Sequence, residues 1–121
     1  MLNINRIILA GNITKQPEIT RTNNGSACCR LTLAYNEPRN GEKIAYFFNV
    51  VTFGTTAENC AKYLKKGSGV IVEGKLTNRT FKTKEGTNKT TTEILASTVN
   101  FLTWDKKEKD TDQPQQRELD Y

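Results

Sequence analysis

Lys75, Thr77, Arg79 and Phe81 stand at alternate positions in GKLTNRTF, and Phe47, Asn49 and Phe53 share one parity in AYFFNVVTFG. A strand sends successive side chains to opposite faces, so each set is one face of one strand. Cations interleaved with rings suit a ligand that is itself charged and aromatic. Single-stranded nucleic acid fits, because unstacked bases lie on rings and phosphates seek Lys or Arg. A duplex fits poorly, since its bases are already stacked. The competing reading of each Phe is ordinary core packing.

Other chemistry is poorly supplied. The chain has no His, which removes Ser-His-Asp and Cys-His nucleophilic arrangements and the usual zinc sets. Cys28, Cys29 and Cys60 show no C-x-x-C spacing and read as small packing residues in a reducing compartment. The glycines of KKGSGVIVEG follow a helix and enter a strand, the reverse of a phosphate-binding loop. Glu73 and Glu93 could approach each other across a sheet, but the remaining carboxylates are scattered. No catalytic residue, metal or cofactor is expected.

The 121 residues suit one domain. Residues 1–104 carry 14 Lys and Arg against 7 Asp and Glu, whereas residues 105–121 carry 4 against 6. A basic body favours a polyanionic partner. MLNINRIILAGNI has too short an apolar run for a signal peptide, and no stretch approaches the length of a membrane span. A cytoplasmic, nucleoid-associated protein without membrane contact is expected.

The elements that must hold these rows follow from hydrophobic period. INRIILAGNI is apolar on both parities (Ile4, Ile8 and Ala10; Ile7, Leu9 and Ile13) and reads as a strand covered on both sides, with a bulge or bend at Gly11. After the turn NNG, SACCRLTLAY places Ala27, Cys29, Leu31, Leu33 and Tyr35 on one face. RNG is a hairpin turn leading into AYFFNVVTFG, where Val50 and Thr52 are expected inside. The period then changes. Ala57, Cys60, Ala61 and Leu64 form a helical stripe, with Thr55 and Glu58 as a capping box and Gly67 as the stop. GVIVEGKLTNRTF and TTTEILASTVNFLTW are the last two strands, joined by KTKEGTNK. Three strands, a helix and two strands give an all-β class. The specific expectation is a five-stranded OB-fold barrel with one helix between strands 3 and 4, spanning residues 1–104. Residues 105–121 are expected to form a disordered polar tail.

The stretches NRIILAGNITKQPE, NNGSACCRLTLA, FFNVVTFGTTAENCAKYLKKGSGVIVEGKL and TTEI resemble the bacterial single-stranded DNA-binding protein family, in register over roughly residues 3–102. The resemblance implies an OB-fold, a homotetramer, and sequence-tolerant binding of single-stranded DNA in replication, recombination and repair. It also implies base stacking at Phe47 and Phe81, where the family usually has Trp, and at Phe53. A further aromatic position of the family falls at Arg39, whose guanidinium can stack or pair with phosphate; Tyr35 is expected to take part of that area. Basic contacts of the family fall at Arg6 and Arg79, while one of its Arg positions is the neutral Asn49. Lys75 joins this set from its row. The two-sided first strand fits an assembly whose subunits pair through it; the other reading is a strand buried inside one barrel. Family tails end in an Asp-rich run closing with Ile-Pro-Phe; here the chain closes QQRELDY, so Glu118, Leu119, Asp120 and Tyr121 are the candidate contacts for replication or repair proteins. Two other readings remain: an RNA-binding OB protein, and an adaptor acting mainly through protein contacts. The role of Trp104 has no reading.

Overall fold

The computed structural model describes residues 1–102. Its strands are β1 (Ile7–Ile13), β2 (Glu18–Arg21), β3 (Ala27–Arg39), β4 (Glu42–Phe53), β5 (Gly69–Lys82) and β6 (Asn88–Phe101), with helix α1 (Gly54–Tyr63) between β4 and β5. The sheet runs β1-β5-β6-β4-β3-β2, and β1 also pairs with β3 at Asn12↔Ala34 and Ile13↔Leu33. That second pairing closes β1, β3, β4, β5 and β6 into the expected five-stranded barrel, with the helix between its third and fourth strands. β2 is an addition. Its four residues are all exposed and follow Pro17, so no apolar alternation announced it.

Local chemistry sets the hairpins. Asn40 and Gly41 both take positive φ (52° and 83°), the conformation that lets a two-residue turn match strand twist. The β3–β4 ladder then runs unbroken from Arg39↔Glu42 to Cys28↔Phe53. Gly11 marks where β1 passes from β5 to β3; a Cβ there would lie 2.3 Å from the Ala34 carbonyl oxygen. It serves a close approach, and the bulge of the barrel lies instead at Glu73/Gly74 against β6.

The inward faces supply the core. Ile13, Cys29, Leu31, Leu33, Val50, Val70, Val72 and Ile94 are buried together, and Thr52 donates its hydroxyl to the Cys29 carbonyl (3.0 Å). Ala57, Cys60 and Leu64 bring the helical stripe onto this core, as its spacing predicts. The ends of α1 differ from expectation. No side chain caps its first turn, and Glu58 faces Arg21 at 3.6 Å instead of closing a box with Thr55. The helix ends at Tyr63, and Gly67 (φ 96°) donates its N–H to the Ile13 carbonyl, tying the following loop to β1.

β1 is two-faced, but among the described residues only one face is covered. Leu9 and Ile13 point inward, whereas Ile8 is 58% exposed and Ile4 stands in solvent. Just before β1, the Asn5 side chain accepts from Leu76 N–H (2.9 Å) and donates to the Leu76 carbonyl (2.8 Å), as a peptide unit of a neighbouring strand would.

Candidate nucleic-acid interface

The register fixes one outward face across four strands. Thr32↔Asn49 and Ala34↔Phe47 join β3 to β4, Val51↔Leu95 joins β4 to β6, and Glu93↔Thr77 and Thr91↔Arg79 join β6 to β5. Phe47 and Phe53 stand on this face, 63% and 46% exposed, with Asn49 exposed between them. The alternation expected in AYFFNVVTFG is therefore present, with one exception. Val51 shares the outward parity but is buried between Arg30 of β3 and Leu95 of β6.

The β5 row lies on the same face, and its chemistry is more tightly organised. Arg79 sits over the Phe81 ring, with 4.8 Å from its guanidinium carbon to the ring centroid. Its Nε donates to Glu93 Oε2 (3.3 Å), and Arg30 Nη1 donates to the same oxygen (2.8 Å). Glu93 is buried, and a buried carboxylate is tolerable only when paired and hydrogen-bonded. Two cations answering one carboxylate meet that condition and leave the cluster with a positive excess. Beside it lies a groove of about 290 Å³ lined by Lys15, Gln16, Glu18, Arg30, Asn49 and Arg79.

Lys75 and Arg6 stand apart from this groove. They line a second cleft, about 540 Å³, together with Asn5, Glu73 and Gly74, and Arg6 faces Glu73 at 3.8 Å. Glu73 and Glu93 thus answer different arginines; Glu73 is opposite Thr98 and Glu93 opposite Thr77, so they do not meet.

Tyr35 and Arg39 are not brought together with the rings. In the antiparallel ladder, Tyr35 is opposite Tyr46 and Arg39 opposite Glu42, and those partners share the parity of Phe48 and Val50. Both residues therefore lie on the face turned away from Phe47. There the two tyrosine rings stack at 6.2 Å, Tyr35 hydroxyl donates to Glu37 (3.3 Å), and Arg39 donates to the Tyr46 hydroxyl (3.2 Å) while facing Glu37 at 3.6 Å. The Glu37 charge pushes the Tyr35 phenol above the ordinary tyrosine range. Glu118, Leu119, Asp120, Tyr121 and Trp104 lie outside the described residues.

Sequence reasoning missed Arg30 and the role of Glu93. A signal for Arg30 was present: it falls on the parity opposite Cys29, Leu31 and Leu33. Nothing in TTTEIL told that Glu93 would be buried, because that depends on cations from two other strands.

The model of the single-strand binding protein family matches residues 4–102. The single-stranded DNA-binding protein of Halalkalibacterium halodurans is 42% identical over 102 residues, covering 82% of this chain and 61% of its own. Single-stranded DNA-binding protein 1 of Staphylococcus aureus strain MSSA476 is 40% identical over 116 residues, covering 93% of this chain and 72% of its own. Against the first of these relatives, the chain spans about three fifths of the relative's length. Among solved structures, a Plasmodium falciparum SSB in complex with ssDNA superposes with a TM-score of 0.77 at 28% identity, covering 85% of this chain and 98% of that one. These are names of binding proteins, and none names a reaction. With the barrel, the helix position and residues 4–102 all in agreement, the chain belongs to the single-strand binding protein family.

Proposed function

We propose that this protein binds single-stranded DNA without sequence preference and shields it during replication, recombination and repair. The observation that carries the reading is the pair Phe47 and Phe53, bare rings on one strand face beside the arginines at Glu93. Buried in a core, these rings would stabilise the fold; held in water, they cost stability unless a ligand covers them. Bases stack on them, and Arg79, Lys75 and Arg6 meet phosphates along the sheet. The names of the relatives and the DNA-bound neighbour support the same class of ligand.

Self-association as a homotetramer belongs to the proposal. Its support is the open apolar side at β1, where Ile4 and Ile8 have no cover among the described residues. Action in the cytoplasm at the nucleoid is likewise proposed; no helix among the described residues is long and apolar enough to cross a membrane. Residues 105–121 are proposed to contact replication or repair proteins.

The test is fluorescence anisotropy of labelled oligo-dT with wild type and Phe53→Ala, and with duplex DNA and matching RNA as competitors. Tight wild-type binding, weak competition by duplex and a loss in the variant are expected. Equal competition by duplex, or a folded Phe53→Ala that binds like wild type, would overturn the stacking surface. Superior competition by RNA would move the assignment to RNA. Deleting residues 105–121 is expected to leave oligo-dT affinity intact and abolish only protein contacts.

A further inference from the structure

We infer that Arg30 and Arg79, clamped by Glu93, form a discrete phosphate subsite at the centre of the sheet, with Glu93 as its positioning residue. The inference deepens the single-stranded DNA reading and rests on it. Each arginine gives Glu93 only one nitrogen, Nη1 of Arg30 and Nε of Arg79. A guanidinium carries five N–H donors in a planar fork. Among the described residues no other hydrogen bond engages either fork, so each keeps an edge for an oxyanion. The two forks converge on one oxygen from opposite sides, one from β3 and one from β5, and both border the same groove.

The remaining walls fit a phosphate with its sugar. Lys15 adds a cation, and Asn49 adds an amide that can donate. Glu18 is the one carboxylate beside Glu93 on that wall, opposite Arg30 in the β2–β3 ladder. Phe81 completes the arrangement. Its ring fixes Arg79 from below while Glu93 fixes it from the edge. Pre-orienting a long side chain removes part of the rotamer entropy that phosphate capture would otherwise cost. In charge terms, two arginines against one carboxylate leave a single positive excess, so the cluster neutralises one phosphate.

A purely structural role makes a different forecast. If the arginines served only to neutralise a buried carboxylate, their replacement would change folding stability and leave the salt dependence of DNA binding alone. The experiment is therefore the slope of log affinity for oligo-dT against log salt, for the full chain, with circular dichroism confirming the fold. Arg30→Ala removes the excess charge; the slope is expected to flatten by about 0.7 and low-salt affinity to fall about tenfold. Arg30→Lys restores charge without the fork, so the slope returns while affinity recovers only in part. Glu93→Gln keeps an acceptor oxygen but frees one more positive charge, steepening the slope by about 0.7. The subsite alone is overturned if wild type binds oligo-dT, Phe53→Ala weakens it, and all three slopes equal that of wild type. If wild type does not bind oligo-dT, the functional reading falls and takes the subsite with it.

Discussion

Two hairpin arms extend from the barrel, and they hold their rings and cations in opposite ways. In the β3–β4 arm, the cation and the exposed ring are on different faces. Arg39, Glu37, Tyr35 and Tyr46 bind one another on one side, leaving Phe47 bare on the other. In the β5–β6 arm they are on the same face, and Arg79 covers Phe81, which is only 37% exposed. Beyond Leu76 the far face of that arm is polar: Thr80 and Thr90 share a hydroxyl contact (3.1 Å) and Thr92 donates to Asn78 (3.0 Å). The first arm thus offers a ring to a base, and the second offers a cation with a ring behind it. Under the proposed function, the difference gives stacking mainly to Phe47 and charge mainly to Arg79, although both residues sit in similar alternating patterns.

The strongest way to break this comparison is to unseat the second arm at its root. A Cβ at Gly74 would lie 2.0 Å from the Leu95 carbonyl oxygen, where neither backbone can yield cheaply. Gly74→Ala is expected to lose about 3 kcal/mol of stability, the upper end for overpacking, read from urea unfolding curves. Next come the rings. Phe47→Ala should cost about 1–3 kcal/mol in oligo-dT binding, and Phe81→Ala distinctly less, because Arg79 already occupies one of its faces. Equal losses in the two titrations would show that the covering arginine swings aside and that the arms are equivalent. Smaller still is Tyr46→Phe, which removes the acceptor of Arg39 at an exposed site; a loss of about 0.5–1 kcal/mol in unfolding free energy is expected, with oligo-dT affinity unmoved. Last, Glu37→Gln should bring the Tyr35 phenol titration down toward an ordinary tyrosine, seen in the ultraviolet spectrum of the ionised ring. An unchanged midpoint would remove Glu37 as the cause of the raised value.

What the sequence revealed and what it hid divide along physical lines. Features set by one strand or helix were legible: the parity of Phe47, Asn49 and Phe53, the inward Val50 and Thr52, and the stripe Ala57, Cys60, Leu64. Features set by two elements were not. The capping box at Thr55 and Glu58 matched in spacing, yet Glu58 went to Arg21 of β2, a strand too short and polar to be seen. Arg39 was placed beside the rings by the family resemblance, and Tyr35 as a partial stand-in for it; the β3–β4 register puts both on the reverse face. The Arg30–Glu93–Arg79 cluster joins three strands, so no local pattern contains it.

The three thiols carry a last consequence. Cys29 and Cys60 are fully buried, and burial pushes the Cys60 thiol up to about 12. Only the thiolate is a nucleophile, so an alkylating reagent at neutral pH gains no purchase on Cys60 while the barrel is closed. Its rate of consumption is set by how often the helix lifts away from the core. Cys60 is therefore a built-in stopwatch for breathing of the helix, read apart from Cys28, which is paired opposite Phe53 on the outer face.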